Sequence, residues 1–147
     1  MQTFEELLKQ EDLEYCVSGH FFDSGMTLQE LQEFYRARNL REEKNVNFGA
    51  YIDRGAIEGS KFFIDDLVVV NIYSPPKKRM VSQAEEAGVH ELKSHVEIYP
   101  GAEYYKKKGL TAARNELRLL MQYHIEHKIS ATCYFPYRKE FQGINRD

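Results

Sequence analysis

Three segments of the sequence share one combination of residues: an aromatic residue, then proline, then positively charged side chains. They are IYSPPKKRM at 72–80, IYPGAEYYKKK at 98–108 and YFPYRK at 134–139. Lysine and arginine neutralise phosphate or carboxylate groups, and aromatic rings stack on flat bases. The segments therefore indicate a small binding or regulatory protein whose anionic partner is either a nucleotide-like molecule or an acidic protein surface.

We predict that these segments meet in one site, which we call the basic rim. Its predicted ligand-binding residues are Tyr73, Lys77, Lys78, Arg79, Tyr105, Lys106, Lys107, Arg114, Arg118, Tyr137 and Arg138. The same segments add Lys108, Lys139, Tyr99, Tyr104 and Tyr134. An ordinary explanation competes with this one, since lysine runs are commonly solvated loops and tyrosines commonly pack against sheets.

Two other functions use the same residues. The first is nucleic-acid binding, because Lys107, Arg114 and Arg118 recur at spacings of 7 and 4 along a predicted helix and extend the positive charge. The acidic Glu116 and Glu126 interrupt that helix. The second is a small enzyme that acts on a phosphorylated substrate. The balance favours a binding protein over an enzyme, because the motifs GxGxxG, GxxxxGK[ST] and GxSxG do not occur.

No metal or cofactor is predicted. His124 and His127 stand three residues apart on one helix turn, and imidazoles are metal ligands. The sequence has neither CxxC nor HExxH, and its two cysteines do not complete a structural zinc set. His124 adjoins the apolar face of its helix, so we expect it to pack there and to bond a backbone carbonyl.

Composition indicates a cytoplasmic protein. Cys16 and Cys133 lie far apart within apolar runs, which fits reduced thiols better than a disulfide framework. No apolar run is long enough for a membrane span, and the acidic N-terminus does not resemble a signal peptide.

The charge is unevenly divided along the chain. Residues 1–73 hold 14 acidic and 7 basic side chains, whereas residues 74–147 hold 9 and 13. This asymmetry suits an anionic partner, and exposed aromatics allow a homodimer.

Capping signals and apolar spacing predict the helices. Thr27 and Glu30 form a capping box, and the residues after them predict a helix over 28–40. A similar box at Thr3 predicts a short N-terminal helix. Apolar residues at spacings of three and four predict a long helix over 110–128.

Runs of β-branched and aromatic residues predict the strands, at 13–22, 46–52, 67–73, 95–99 and 129–135. The run LVVVNIY at 67–73 has adjacent β-branched residues, which predicts burial on both faces. Proline donates no hydrogen bond to a sheet, so Pro136 is expected to end the last strand.

The order of elements predicts the fold class. The second half alternates strands with helices, and strands joined in this way are usually parallel. Pro75, Pro100 and Pro136 would then lie side by side at one edge of the sheet. The first half indicates antiparallel strands. We therefore predict one α+β (mixed α/β) domain over residues 1–147, with a single sheet of about four to six strands, helices mainly on one face, and a loose tail from about residue 142.

Overall fold

The computed structural model describes residues 4–10, 12–23, 25–47, 58–65, 67–101 and 104–139. Its elements are α1 Phe4–Gln10, β1 Leu13–His20, α2 Leu28–Arg36, β2 Arg41–Asn47, β3 Glu58–Ile64, β4 Val68–Tyr73, α3 Lys78–Glu86, β5 His95–Pro100, α4 Tyr104–Lys108, α5 Leu110–Glu126 and β6 Ala131–Arg138. The described parts of the predicted strands and helices are present, α3 is the helix expected between the strands at 67–73 and 95–99, and β3 and α4 are additions. The predicted cap at Thr3, part of the predicted strand at 46–52 and the tail lie outside the described residues.

The α+β class is confirmed by the single six-stranded sheet that the described residues form, in the order β1-β6-β5-β4-β3-β2. Only β5 and β6 pair in parallel among the described strands, and the other neighbours are antiparallel. Helix α5 connects β5 to β6, as expected for a parallel crossover. The antiparallel pairing predicted for the first half is likewise present between β2 and β3.

The main core lies between one face of the sheet and the helices α2 and α5. Leu31 and Tyr35 of α2 and Leu117 of α5 are buried in the same cluster as alternate residues of the central strands, including Val70 and Ile98. The capping box of α2 is present, and the apolar spacing of α5 produces the predicted buried face. We call the opposite side of the sheet the second face.

The second face is also buried at its centre. All six residues of β4 are buried, as the adjacent β-branched residues predicted. Met80 and Ala84 of α3 are buried outside the main core cluster. Helix α3 therefore has its own apolar contacts, whereas α2 and α5 supply the main layer of helices.

The prediction that β4 runs parallel to β5 is wrong. The two strands are antiparallel, with Tyr73 opposite His95 and Val68 opposite Pro100. Helix α3 leads the chain away from the sheet, and residues 87–94 bring it back to the edge that it left. Strands joined through a helix are usually parallel, but a connection that returns to the same edge makes the two strands antiparallel.

The prediction that Pro136 ends the last strand is also wrong. Pro136 lies within β6 and pairs opposite Tyr15 of β1. On the other side of β6, the pairing with β5 stops at Ile98 opposite Cys133. Because β5 no longer pairs with β6 at residue 136, proline costs no hydrogen bond on that side.

Neither Cys16 nor Cys133 forms a disulfide. Cys133 is buried and Cys16 is half-buried. Among the described residues, no helix combines the length and the apolar character needed to cross a membrane.

Replacing Thr27 with alanine is expected to lower the free energy of unfolding by about 1 kcal/mol. The Thr27 hydroxyl accepts a hydrogen bond from the Glu30 backbone N–H, and the Glu30 carboxylate accepts one from the Thr27 backbone N–H. Urea denaturation measures the loss. Ser82→Ala removes an exposed hydroxyl within α3 and is the control. Equal stability of the Thr27 variant and the unmodified protein would contradict the contribution of the cap.

Candidate functional site

A buried carboxylate lies at the centre of the second face. Glu97 of β5 is only 5% exposed. Its carboxylate accepts hydrogen bonds from the Tyr134 hydroxyl and from Nη2 of Arg79, the latter at 2.9 Å. The hydroxyl of Tyr73 also bonds it. A charge removed from water needs partners of this kind, so these residues form one structural unit, which we call the Glu97 cluster.

Strand alternation brings the residues of the Glu97 cluster together. Along β5, Val96 and Ile98 face the main core, so Glu97 faces the opposite side. The register places Asn71 of β4 and Thr132 of β6 on either side of Glu97. Tyr73 and Tyr134 follow two residues further along the same strands and therefore share the second face. Three neighbouring strands thus contribute polar groups to one spot.

The cations of the Glu97 cluster come from the start of α3. Lys77 is the residue before the helix and is only 6% exposed, with its Nζ atom 4.8 Å from the centre of the Tyr73 ring. Arg79 lies in the first turn, and 46% of its side chain is exposed. Because Pro75 and Pro76 end the ladder of β4, the chain turns and carries both cations toward Glu97.

The electrostatics keep Glu97 ionised and its phenol partners protonated. Burial alone raises the pKa of the Glu97 carboxyl, but the bonds from Tyr134 and Tyr73 and the nearby cations outweigh it, so the pKa is lowered. Burial, followed by the negative charge of Glu97, raises the pKa of Tyr73 and of Tyr134. Both phenols therefore act as hydrogen-bond donors at neutral pH.

Two further buried groups complete the second face. His95 is fully buried, stacks on Phe21 with ring centroids 4.9 Å apart, and has Nε2 2.7 Å from the Thr132 hydroxyl oxygen. Burial lowers the pKa of His95 to about 3, so its ring is neutral. Its Nδ1 atom and the Oδ1 atom of Asn71 have no hydrogen-bond partner among the described residues. Such atoms are uncommon in native proteins and mark a place where a ligand atom or water fits.

A strip of aromatic and apolar side chains adjoins the Glu97 cluster. The Tyr134 ring packs edge to face with Tyr99, at 6.2 Å between centroids, and with Tyr15, at 5.2 Å. Val17 lies opposite Tyr134 in the register of β1 and β6 and is 52% exposed. We call Tyr15, Val17, Tyr99 and Tyr134 the aromatic strip. It presents flat apolar surface directly beside the bond between Arg79 and Glu97.

The structure brings together part of the predicted basic rim. Tyr73, Lys77 and Arg79 meet at Glu97, and Lys78 is exposed at the same helix start. Tyr99 and Tyr134, which the three segments also contain, belong to the adjoining aromatic strip. The geometry behind the rim is nonetheless wrong, because β4 ends at the edge of the sheet opposite to the ends of β5 and β6.

The other predicted cations come at or after the ends of β5 and β6 in the chain. Lys106, Lys107 and Lys108 are exposed on α4, and Arg138 is exposed at the end of β6. Lys108 Nζ lies 3.8 Å from Glu116. This group adjoins the start of α5, where Gly109 has a positive φ of 83° and provides no side-chain cap. These cations therefore lie at or after the ends of β5 and β6 and not at the start of α3.

Four other predicted residues do not join the Glu97 cluster. Tyr137 is buried on the core side, and its hydroxyl donates to Glu14 at 2.9 Å. Arg114 and Arg118 lie on α5, which packs on the face opposite the Glu97 cluster. The side chain of Tyr105 lies outside the described residues.

The predicted environment of His124 is confirmed. Its Nδ1 atom lies 2.6 Å from the Leu120 carbonyl oxygen, and its Nε2 atom lies 2.8 Å from the Tyr35 hydroxyl. In the described part of the chain, no group of three His, Cys, Asp or Glu side chains is placed to hold a metal ion.

The prediction of site residues omitted Glu97, His95, Asn71 and Thr132. The signal for His95 and Glu97 is the alternation of HVEIY, in which apolar residues that face the core place the intervening polar residues on the other side. Asn71 and Thr132 alternate with apolar residues in the same way within VVVNIY and ATCYF. This signal indicates a buried polar site only if another element, here α3, covers the second face. Apolar alternation does not reveal that cover, because it depends on where α3 packs.

The chain matches no known protein family, curated protein or solved structure. Inference about its function therefore depends on the chemistry of the second face.

Proposed function

We propose that the protein binds an anionic, nucleotide-like ligand on the second face, beside the Glu97 cluster. The observation that carries the proposal is that Arg79 is both bonded to Glu97 and exposed. Its guanidinium is held by a buried carboxylate through Nη2, yet nearly half of its side chain is exposed. An arginine oriented in this way has further N–H donors to offer to a phosphate or carboxylate without first losing side-chain freedom.

The start of α3 supports an anion at this position. The first turn of a helix carries unsatisfied N–H groups and a partial positive charge, which acidic or capping side chains usually balance. Here Lys77 directly precedes the helix and Lys78 and Arg79 begin it, no side chain among the described residues caps it, and its first turn has no acidic residue. A bound anion would balance this concentration of positive charge.

The aromatic strip supports a ligand with a flat ring. Tyr99 and Tyr134 are half-buried, and Tyr15 is exposed beside them. Stacking of a base on an aromatic ring contributes about 1–3 kcal/mol. An anion at Arg79 and a ring on the aromatic strip would use the two halves of one surface, as the basic and aromatic residues of the sequence predicted.

We also propose that the protein is cytoplasmic. Cys16 and Cys133 are not bridged, which is typical of proteins in a reducing compartment. Native mass spectrometry of the purified protein tests both the retention of a small anion and the homodimer predicted from the sequence.

Arg79→Gln is expected to weaken the binding of trinitrophenyl-ADP by about 10-fold or more, because a hydrogen bond to a charged group contributes about 1.5–3 kcal/mol. Fluorescence titration measures the affinity, and competition with unlabelled ADP confirms that the nucleotide is bound. The matched control is Arg36→Gln. Arg36 also binds a carboxylate, with its Nε atom 2.6 Å from Glu42, and its side chain is 39% exposed.

Equal affinity of the two arginine variants would contradict the proposal. Titrations with an RNA oligonucleotide and with an acidic peptide test the other anionic partners. Binding of the RNA alone, with an affinity that falls steeply with salt concentration, would replace a nucleotide ligand with a nucleic acid. Binding of the peptide alone would replace it with a protein surface.

A further inference from the structure

A groove runs between the edge strand β1 and helix α5, on the side of the sheet opposite the Glu97 cluster. Its volume is about 450 Å³. Met121 and Ile125 of α5 and Phe135 of β6 supply apolar surface, and Ser18, His20 and Arg118 supply polar groups. Volumes of about 300–1,000 Å³ and apolar walls with a few polar groups are typical of small-molecule sites.

The charges of the groove select the ligand class. Arg118 is the charged residue that lines it, with its Nη1 atom donating to Oδ1 of Asn115 at 3.2 Å, and no acidic residue is among the described residues that do so. Arginine binds a carboxylate through paired N–H donors. The apolar side chains would remove the body of the same molecule from water, which favours its binding.

We propose that this groove binds a small amphipathic carboxylate, with its apolar body against Met121, Ile125 and Phe135 and its carboxylate at Arg118. The site is independent of the Arg79 site, because the two lie on opposite faces of the sheet. Arg118 therefore has a function distinct from the continuous track of positive charge along α5 that the sequence suggested.

Cys16 provides a direct reporter of occupancy. It lines the groove and is half-buried, whereas Cys133 is completely buried. A ligand in the groove should slow the alkylation of Cys16 by iodoacetamide, as measured by peptide mass spectrometry. Cys133 is the internal control, because its modification would report unfolding instead of an open groove.

Isothermal titration calorimetry of the full chain with octanoate is the central experiment. Octanoate should bind, and octan-1-ol, which has the same apolar body without the carboxylate, should bind at least about 10-fold more weakly. Arg118→Gln should weaken octanoate by a similar factor. Lys93→Gln removes an exposed cation outside the groove and should leave the affinity unchanged.

Three results would overturn the inference: no octanoate binding at millimolar concentration, equal affinities for octanoate and octan-1-ol, or an unchanged affinity in Arg118→Gln. Ser18→Tyr fills the groove from a strand position and should abolish binding. If that variant does not fold, Arg118→Gln, an exposed replacement on α5, and the Cys16 reaction in the unmodified protein still decide the matter. None of these results depends on nucleotide binding at Arg79.

Discussion

Replacing Glu97 with alanine is expected to lower the free energy of unfolding by about 3–5 kcal/mol, which is the usual cost of removing one partner from a buried ion pair. Lys77 would remain buried without the carboxylate beside it, and Arg79, Tyr73 and Tyr134 would lose their shared acceptor. Urea denaturation at pH 7, followed by circular dichroism, measures the change.

Glu97→Gln retains one acceptor oxygen without the charge, so its loss of stability should be smaller than that of the alanine variant. The control for an exposed pair is Asp12→Asn. Asp12 lies 3.7 Å from Lys139 with 79% of its side chain exposed, and such pairs contribute about 0–1 kcal/mol. A loss below about 1 kcal/mol in Glu97→Ala would show that the Glu97 cluster does not depend on its carboxylate.

The pH dependence of Glu97 follows from the direction of its pKa. The folded state lowers the pKa of this carboxyl below its ordinary value of 4.5, so the unfolded chain binds the proton more readily. Its contribution is complete above about pH 4.5 and is lost as the pH falls through the folded pKa. Stability measured below pH 4.5 should therefore decline less in Glu97→Gln than in the unmodified protein.

Lowering the pH from 7 to 4 is expected to remove several kcal/mol of stability through two other residues. Burial lowers the pKa of His95 to about 3 and that of His124 to about 4, from an ordinary 6.5. Between pH 6.5 and 4 these two histidines bind protons in the unfolded chain but remain largely unprotonated in the folded state. Each histidine therefore costs about 3 kcal/mol over this interval, a large part of the stability of a typical domain.

The measurement is a series of urea denaturations between pH 7 and pH 4. His95→Gln and His124→Gln each remove one titrating group, so the decline in stability should be shallower in each variant, even if its stability at pH 7 is reduced. The control is His90→Gln, at an exposed position, which should follow the unmodified protein. Parallel curves for all four proteins would contradict neutral buried histidines.

Local sequence was sufficient for most of the elements. The box at Thr27 and Glu30 marked the start of α2, and the apolar spacing after Leu110 marked the buried face of α5. His124 could be placed because its position along α5 sets it beside that face. In each case the signal lies within a few turns of one element, where backbone geometry determines which side chains share a face.

The pairing between elements was harder to predict from the sequence. Pro136 was expected to end β6, but the effect of a proline depends on whether a neighbouring strand needs its N–H. The ends of β5 and β6 meet at one edge as predicted, whereas β4 and its cations lie at the other. Arg79 joins the second face only because α3 starts there and Glu97 is buried beneath it.

Local patterns in the chain predicted the α+β class, most of the helices and strands, and the kinds of side chain available for an anion. The folded structure was needed to show that β4 opposes β5, that Glu97 gathers Tyr73, Lys77 and Arg79, and that Arg118 lines a groove on the other face. The physical reason is that periodicity reports which face of an element is apolar. Strand direction instead depends on contacts between residues far apart in the chain, which local pattern does not encode.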